Sequence, residues 1–143
     1  MVFGAAEGTV FRVLRRLARL GLAGSLAGGN QYVSWIHEAD FCRAIQWIIA
    51  NEKFAGPINL VSPNPLTNRE MMAGLRRACG APFGLPAARW MLEIGAWVLR
   101  TESELMIKSR RVIPGRLTAG GFEFKYPRFE EAVGEVEGRV RNT

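Results

Sequence analysis

The run Gln31-Tyr32-Val33-Ser34-Trp35-Ile36-His37 alternates like an extended strand, and the residues after it are spaced for a helix. Period two puts Val33 and Trp35 on one face and Tyr32 and Ile36 on the other. From Asp40 to about Asn51, Phe41, Ala44, Ile45, Ile48 and Ile49 recur at helical intervals. Asp40 suits the start of that helix, through hydrogen bonds to its first amides and through the helix dipole. The run is preceded by a turn-rich stretch, Gly21 to Asn30, with four glycines. A strand that passes directly into an amphipathic helix points to an α/β class.

The remaining periodicities are mostly helical. Thr9 and Gly21 bracket a first helix over 9–20, with Thr9 as N-cap and Gly21 as stop. Arg12, Arg15, Arg16 and Arg19 lie opposite Val10, Val13, Leu14 and Leu17, which predicts a solvated basic face. Ile58 to Val61, bounded by Pro57 and Pro63, reads as a short buried parallel strand. Thr67 and Glu70 have capping-box spacing and open a helix to Cys79, with Met71, Met72, Leu75 and Cys79 inward. Pro86 opens a further helix carrying Trp90, Met91, Ile94, Trp97 and Val98, and Thr101 with Glu104 starts a short one through Lys108. Phe122-Glu123-Phe124 suggests a brief strand after a Pro- and Gly-rich turn. Pro127 fits the first turn of a last helix, whose inner face is Phe129, Val133, Val136 and Val140.

Composition narrows the function. Hydrophobic content of 48% with 22% charged residues is globular, and no apolar run reaches the roughly 20 residues a bilayer span requires. With no signal-peptide pattern, the expected compartment is the cytoplasm. Cys42 and Cys79 have no partner at metal-ligand spacing, and their helix-spaced apolar neighbours predict buried free thiols. The net charge of +6 permits nucleic-acid binding, but the basic stripe lacks interleaved aromatics, so that partner is not expected.

No motif supplies catalysis. The stretch Gly21-x-x-Gly24-x-x-Ala27 has dinucleotide-fingerprint spacing, but a helix precedes it and a strand follows, the reverse of a phosphate cradle. The single histidine, His37, excludes a histidine metal cluster, and no metal site is expected. No Gly-x-Ser-x-Gly elbow occurs, and the sole aspartate stands three residues from His37, a spacing that suits a helix start better than a triad. His37 could move a proton near neutral pH, or could instead bond the helix start while Trp35 packs. Lys108, Arg110, Arg111 and Arg116 form the densest basic cluster, either solvated or in contact with phosphates.

The run Gln31-x-x-Ser34-Trp35-Ile36-His37-x-x-Asp40 resembles a segment in the second half of extended short-chain dehydrogenase/reductases. The similarity is to the atypical, sugar-nucleotide epimerase-like branch with a C-terminal domain of unknown function. Asn59 through Pro65 looks like that family's Asn-x-x-x-Pro-x-Pro crossing, and Thr67-Asn68-Arg69-Glu70 like its next helix start. Arg100-Thr101-Glu102, Lys108 through Pro114, and Gly121 through Pro127 resemble its C-terminal signature, and Met1-Val2-Phe3-Gly4 a late core strand. Two departures stand out. Ala39 occupies the first acidic position of the family's His-x-Asp-Asp, and neither Tyr32 nor Tyr126 has a lysine four residues on.

The resemblance implies the mostly helical C-terminal portion of a Rossmann-like protein, with the N-terminal cofactor-binding part absent. Residues 1–66 would be a remnant of the late Rossmann-like core, and 67–143 a helical substrate-side domain of unknown function. It implies NADP or NAD in a full-length member, no cofactor or catalytic residue in this chain, and a small or nucleotide-linked substrate. Gln31, Ser34, Trp35 and His37 are then substrate-pocket candidates, and Lys108, Arg110 and Arg111 phosphate-contact candidates. The expected partner is the missing cofactor domain or a second copy. The alternative is a stand-alone interaction or regulatory module derived from that family.

Overall fold

A computed structural model describes residues 1–25, 28–84 and 109–142. Among them are four two-residue strands and five helices. In order these are β1 (Val2–Phe3), α1 (Val10–Arg19), β2 (Tyr32–Val33), β3 (Ile36–His37), α2 (Glu38–Ala50), β4 (Leu66–Thr67), α3 (Asn68–Cys79), α4 (Gly115–Ala119) and α5 (Phe129–Arg141). The expected strand over 31–37 is thus two short strands with different partners. β3 runs parallel to β1, with Phe3 opposite His37, and β2 runs antiparallel to β4, with Val33 opposite Leu66. The break falls at Ser34-Trp35, so Trp35 and Ile36 are both buried instead of facing opposite ways.

The main core forms where α1, α3 and α5 close over β1 and β3. Phe3, Trp35 and Phe129 meet edge to face, with ring centroids 5.2 to 6.4 Å apart, and Phe11 joins from α1. Met71, Met72 and Leu75 come from α3, and Val133, Val136 and Val140 from α5, as their helical spacing predicts. One cluster therefore draws on residues from both halves of the chain. Gly74 allows α3 and α5 their close approach, since a Cβ there would lie 3.1 Å from the Phe129 ring. The capping box is present in full, with Thr67 and Glu70 each bonding the other's backbone amide. α1 stops at a Schellman turn: Gly21, at φ +72°, donates to Ala18, and Leu22 donates to Leu17.

Several expectations fail for local reasons. Thr9 stands at the N-cap of α1, but its hydroxyl donates to upstream carbonyls (Gly4, Ala6) and caps nothing. The arginine face is not simply wet: the Arg15 side chain is 14% exposed and forks onto buried Glu137 of α5. Residues 58–61 form no ladder among the described residues; Ile58 and Leu60 instead pack on Ala44, Leu117 and Phe122. Residues 122–124 likewise form no strand, and the Pro- and Gly-rich turn before them holds α4, with Leu117 fully buried. Pro127 lies outside α5, because Arg128 is its N-cap. Cys42 is exposed, and Cys79 packs inward against the main core but is only half-buried, so neither thiol is fully buried. The helices expected after Pro86 and at Thr101 lie outside the described residues.

Candidate functional site

The corner between β3 and α2 is closed by His37 and Asp40. His37 is the N-cap of α2: its Nδ1 accepts from the Ala39 amide at 3.0 Å. That nitrogen therefore carries no proton, and Nε2 donates to Glu135 Oε2 of α5 at 2.9 Å. The ring is 1% exposed and lies against Tyr126, centroids 4.2 Å apart. Sequence reasoning gave the capping role to Asp40. It is instead wholly buried, accepting from the amides of Lys125 and Tyr126, each at 2.8 Å, and from Arg43. An extended loop needs acceptors for its donors, and one carboxylate supplies two here.

Beyond Glu135 the network continues outward. Arg139 binds both Glu135 and Glu38, joining α5 to the first turn of α2. Burial opposes the Arg139 charge, but the two carboxylates outweigh it and raise its pKa above the ordinary value. Glu137, two positions beyond Glu135, is buried beneath Arg15 and Arg19. The sequence reading missed Glu135 and Glu137. A signal existed for Glu137: it follows Val133 by four on the apolar face, where a carboxylate requires a partner.

The pocket candidates separate into two environments. Trp35 is fully buried, and its indole Nε1 donates to the Asn64 carbonyl at 2.9 Å. Gln31 and Ser34 flank β2 in sequence, one before it and one after it. The Gln31 carbonyl accepts from the Asn68 amide, extending the β2–β4 pairing to the start of α3. Along the edge of Tyr32 to Ser34 lies residues 109–112, a strap that is not a formal strand. Arg110 N donates to Tyr32 O, Tyr32 N to Ser109 Oγ, Ser34 Oγ to Arg110 O, and Val112 N to Ser34 Oγ, at 2.7 to 3.0 Å. Ser34 and His37 share no hydrogen bond, so the pair is not a nucleophile with its base.

The strap carries two of the three phosphate-contact candidates. Arg110 and Arg111 are exposed, and the Arg111 guanidinium lies 5.0 Å from the centre of the Tyr32 ring. Lys108 lies outside the described residues. Arg116, also in the basic cluster, is turned to the carbonyls of Ala55 and Pro57. An open groove of about 340 Å³ lies elsewhere, between Arg43, Gln46 and Trp47 of α2 and Phe122.

The described residues of the glycine stretch are not arranged as a dinucleotide cradle. A pyrophosphate needs free backbone amides at a helix N-terminus. Here the Gly21 and Leu22 amides close the C-terminus of α1, and the Gly28 and Gly29 carbonyls accept from Arg69. Among the described residues no group of three or more histidine, cysteine or acidic side chains is arranged for a metal, and no helix is long and apolar enough to cross a membrane.

The chain has counterparts among known proteins. Residues 87–136 match the domain of unknown function DUF1731. An epimerase family protein of Mycobacterium bovis is 35% identical over 134 residues, which cover 92% of this chain and 43% of that protein. Another, from Staphylococcus aureus, is 29% identical over 130 residues, 91% of this chain and 42% of its own length. The crystal structure of the human epimerase family protein SDR39U1 (isoform2) with NADPH superposes with a TM-score of 0.83 at 25% identity. That match covers 99% of this chain and 46% of the human one. UDP-N-acetylglucosamine 4-epimerase from Bacillus cereus shares the fold, at a TM-score of 0.68 and 20% identity over 98% of this chain and 44% of its own. The chain spans less than half the length of these relatives.

Proposed function

We propose that this chain, which matches part of epimerase family proteins, is the C-terminal portion of such a protein and supplies the substrate side of an NAD(P)-dependent epimerase, dehydratase or reductase. In this reading NADP or NAD is held by a partner part with a Gly-rich turn, and the chain alone does not turn over substrate. Gln31 and Ser34 border the substrate. Trp35 and His37, buried, anchor the segment that carries them. Arg110 and Arg111, with Lys108, meet the phosphates of a nucleotide-linked substrate. Residues 67–143 form the substrate-side unit, and the cytoplasm is the expected compartment.

The observation that carries the reading is the strap, which sets two exposed arginines beside Tyr32 and Ser34. Guanidinium groups suit phosphate because their planar donors pair with two oxygens at once. A second reading, a stand-alone interaction module, draws support from the uncovered apolar side of α2, where Ile49 is 76% exposed.

Calorimetric titration of the purified chain tests the proposal. A uridine diphosphate sugar is expected to bind weakly, and R110A/R111A to weaken it about tenfold or more, as loss of charge-assisted bonds does. NADPH is expected to give no saturable heat at micromolar concentrations. Unchanged sugar-nucleotide affinity in the double variant would sink the phosphate assignment, and micromolar NADPH binding would sink the division of labour.

A further inference from the structure

We propose that the Ser34 hydroxyl is a latch that holds the 109–112 strap against β2 and so sets where Arg110 and Arg111 stand. Two backbone groups of the strap converge on this one oxygen. It donates to the Arg110 carbonyl at 2.7 Å and accepts from the Val112 amide at 2.9 Å. A hydroxyl is the smallest side group that can do both at once. The strap has few other ties to the edge: Arg110 N to Tyr32 O, Ser109 Oγ to Tyr32 N, and the stacking of Arg111 on the Tyr32 ring. β2 already pairs with β4 on its other side, so the strap covers what would otherwise be an open strand edge.

The break in the 31–37 run makes the latch available. In an unbroken ladder the edge would be met by backbone groups alone. At Ser34 the chain leaves β2 for β3, the ladder lapses, and a side chain takes over the pairing. Ser34 is thus a positioning residue: it acts on a ligand through the arginines, and its effect on binding rests on the phosphate reading above.

Hydrogen exchange of the full chain tests the latch without a ligand. Ser34→Ala is expected to speed exchange of the Val112 and Arg110 amides about three- to tenfold, the equivalent of one ordinary hydrogen bond. The Leu75 and Ala39 amides should keep their protection, which reports that the fold is intact, and Ser34→Thr should restore the strap. If Ser34→Ala does not fold, Ser34→Cys serves instead, since a thiol donates and accepts only weakly and should loosen Arg110 and Val112. Unchanged exchange at Arg110 and Val112 in a folded variant would overturn the latch. Titration with inorganic pyrophosphate separates the two ideas. Weaker binding in Ser34→Ala supports both, whereas faster exchange with no pyrophosphate binding in the parent keeps the latch and rejects the phosphate assignment.

Discussion

The two sides of the β1–β3 pair are finished differently. On one, α1, α3 and α5 bury Phe3, Phe11, Trp35, Leu75, Phe129 and Val136 at 3% exposure or less. On the other, α2 buries only Ala44 among its apolar residues, with Ile45 at 37% and Ile49 at 76% exposure. Its inner cluster is small, Ala44 with Leu117 and Phe122, and is fringed by half-buried Trp47, Ile48, Ile58 and Leu60. Both helical faces look alike in sequence. The difference lies in what covers them among the described residues: three helices converge on the first, while the second meets one short helix and an extended segment. An amphipathic pattern states that a face is to be covered, not by what.

The largest effect is expected on the closed side. Trp35 fills the centre of the aromatic cluster, and its indole N–H has a partner in Asn64. Trp35→Ala should cost about 3–5 kcal/mol, as truncation of large buried aromatics does. Chemical denaturation checks it: a midpoint near that of the parent would mean this side is as loosely packed as the α2 side, and the contrast would fall.

Much of the closed side was legible because its signals are local. The Thr67–Glu70 box, the methionines of α3 and the valines of α5 are set by helical spacing within one element, and each appears as read. What was lost depends on partners distant in the chain. Ile58 to Val61 has strand composition but gains no ladder, because pairing requires a neighbour and composition does not provide one. Asp40 was assigned to the nearest helix start, since nothing local shows that Lys125 and Tyr126, 85 and 86 residues on, bring it their amides. At the candidate site, Ser34 and Arg110 were each picked out, but their meeting was not. The buried His37 shows the same limit: its bond to the helix start was one of two readings, and Glu135, 98 residues away, was in neither.

A smaller effect is expected at the capping box, on the seam between β4 and α3. Thr67→Ala removes an N-cap and should cost about 1 kcal/mol at neutral pH. Glu70 adds a pH dependence. The Thr67 backbone amide and then its hydroxyl hold the Glu70 carboxyl below its ordinary 4.5. The unfolded chain therefore takes up the proton first as pH falls. The Glu70 contribution is whole above the ordinary value and is lost as pH drops through the lowered folded one. Glu70→Gln, which cannot titrate, should show a flatter loss of stability over that acid range. Equal slopes for parent and variant would show that the box does not hold the carboxylate in solution.

The smallest effect on stability, and the most telling for the open side, is expected at Ile49. A side chain that is 76% exposed buries little on folding, so Ile49→Lys should change stability by no more than about 0.5 kcal/mol. Its effect should appear in association. Exposed Ile49 and Ile45 lie one helical turn apart, with half-buried Ile48 and Trp47 beside them, and such an apolar strip is covered in most soluble proteins. The purified chain is therefore expected to self-associate as concentration rises, or to bind a chain carrying a cofactor-binding part. Ile45→Lys/Ile49→Lys should shift that association to higher concentration while leaving the denaturation midpoint in place. Light scattering over a concentration series reads the first and denaturation the second. A parent chain that stays a 15.9 kDa monomer at high concentration and unfolds cooperatively would show that α2 needs no cover, and the two sides would then differ in packing but not in purpose.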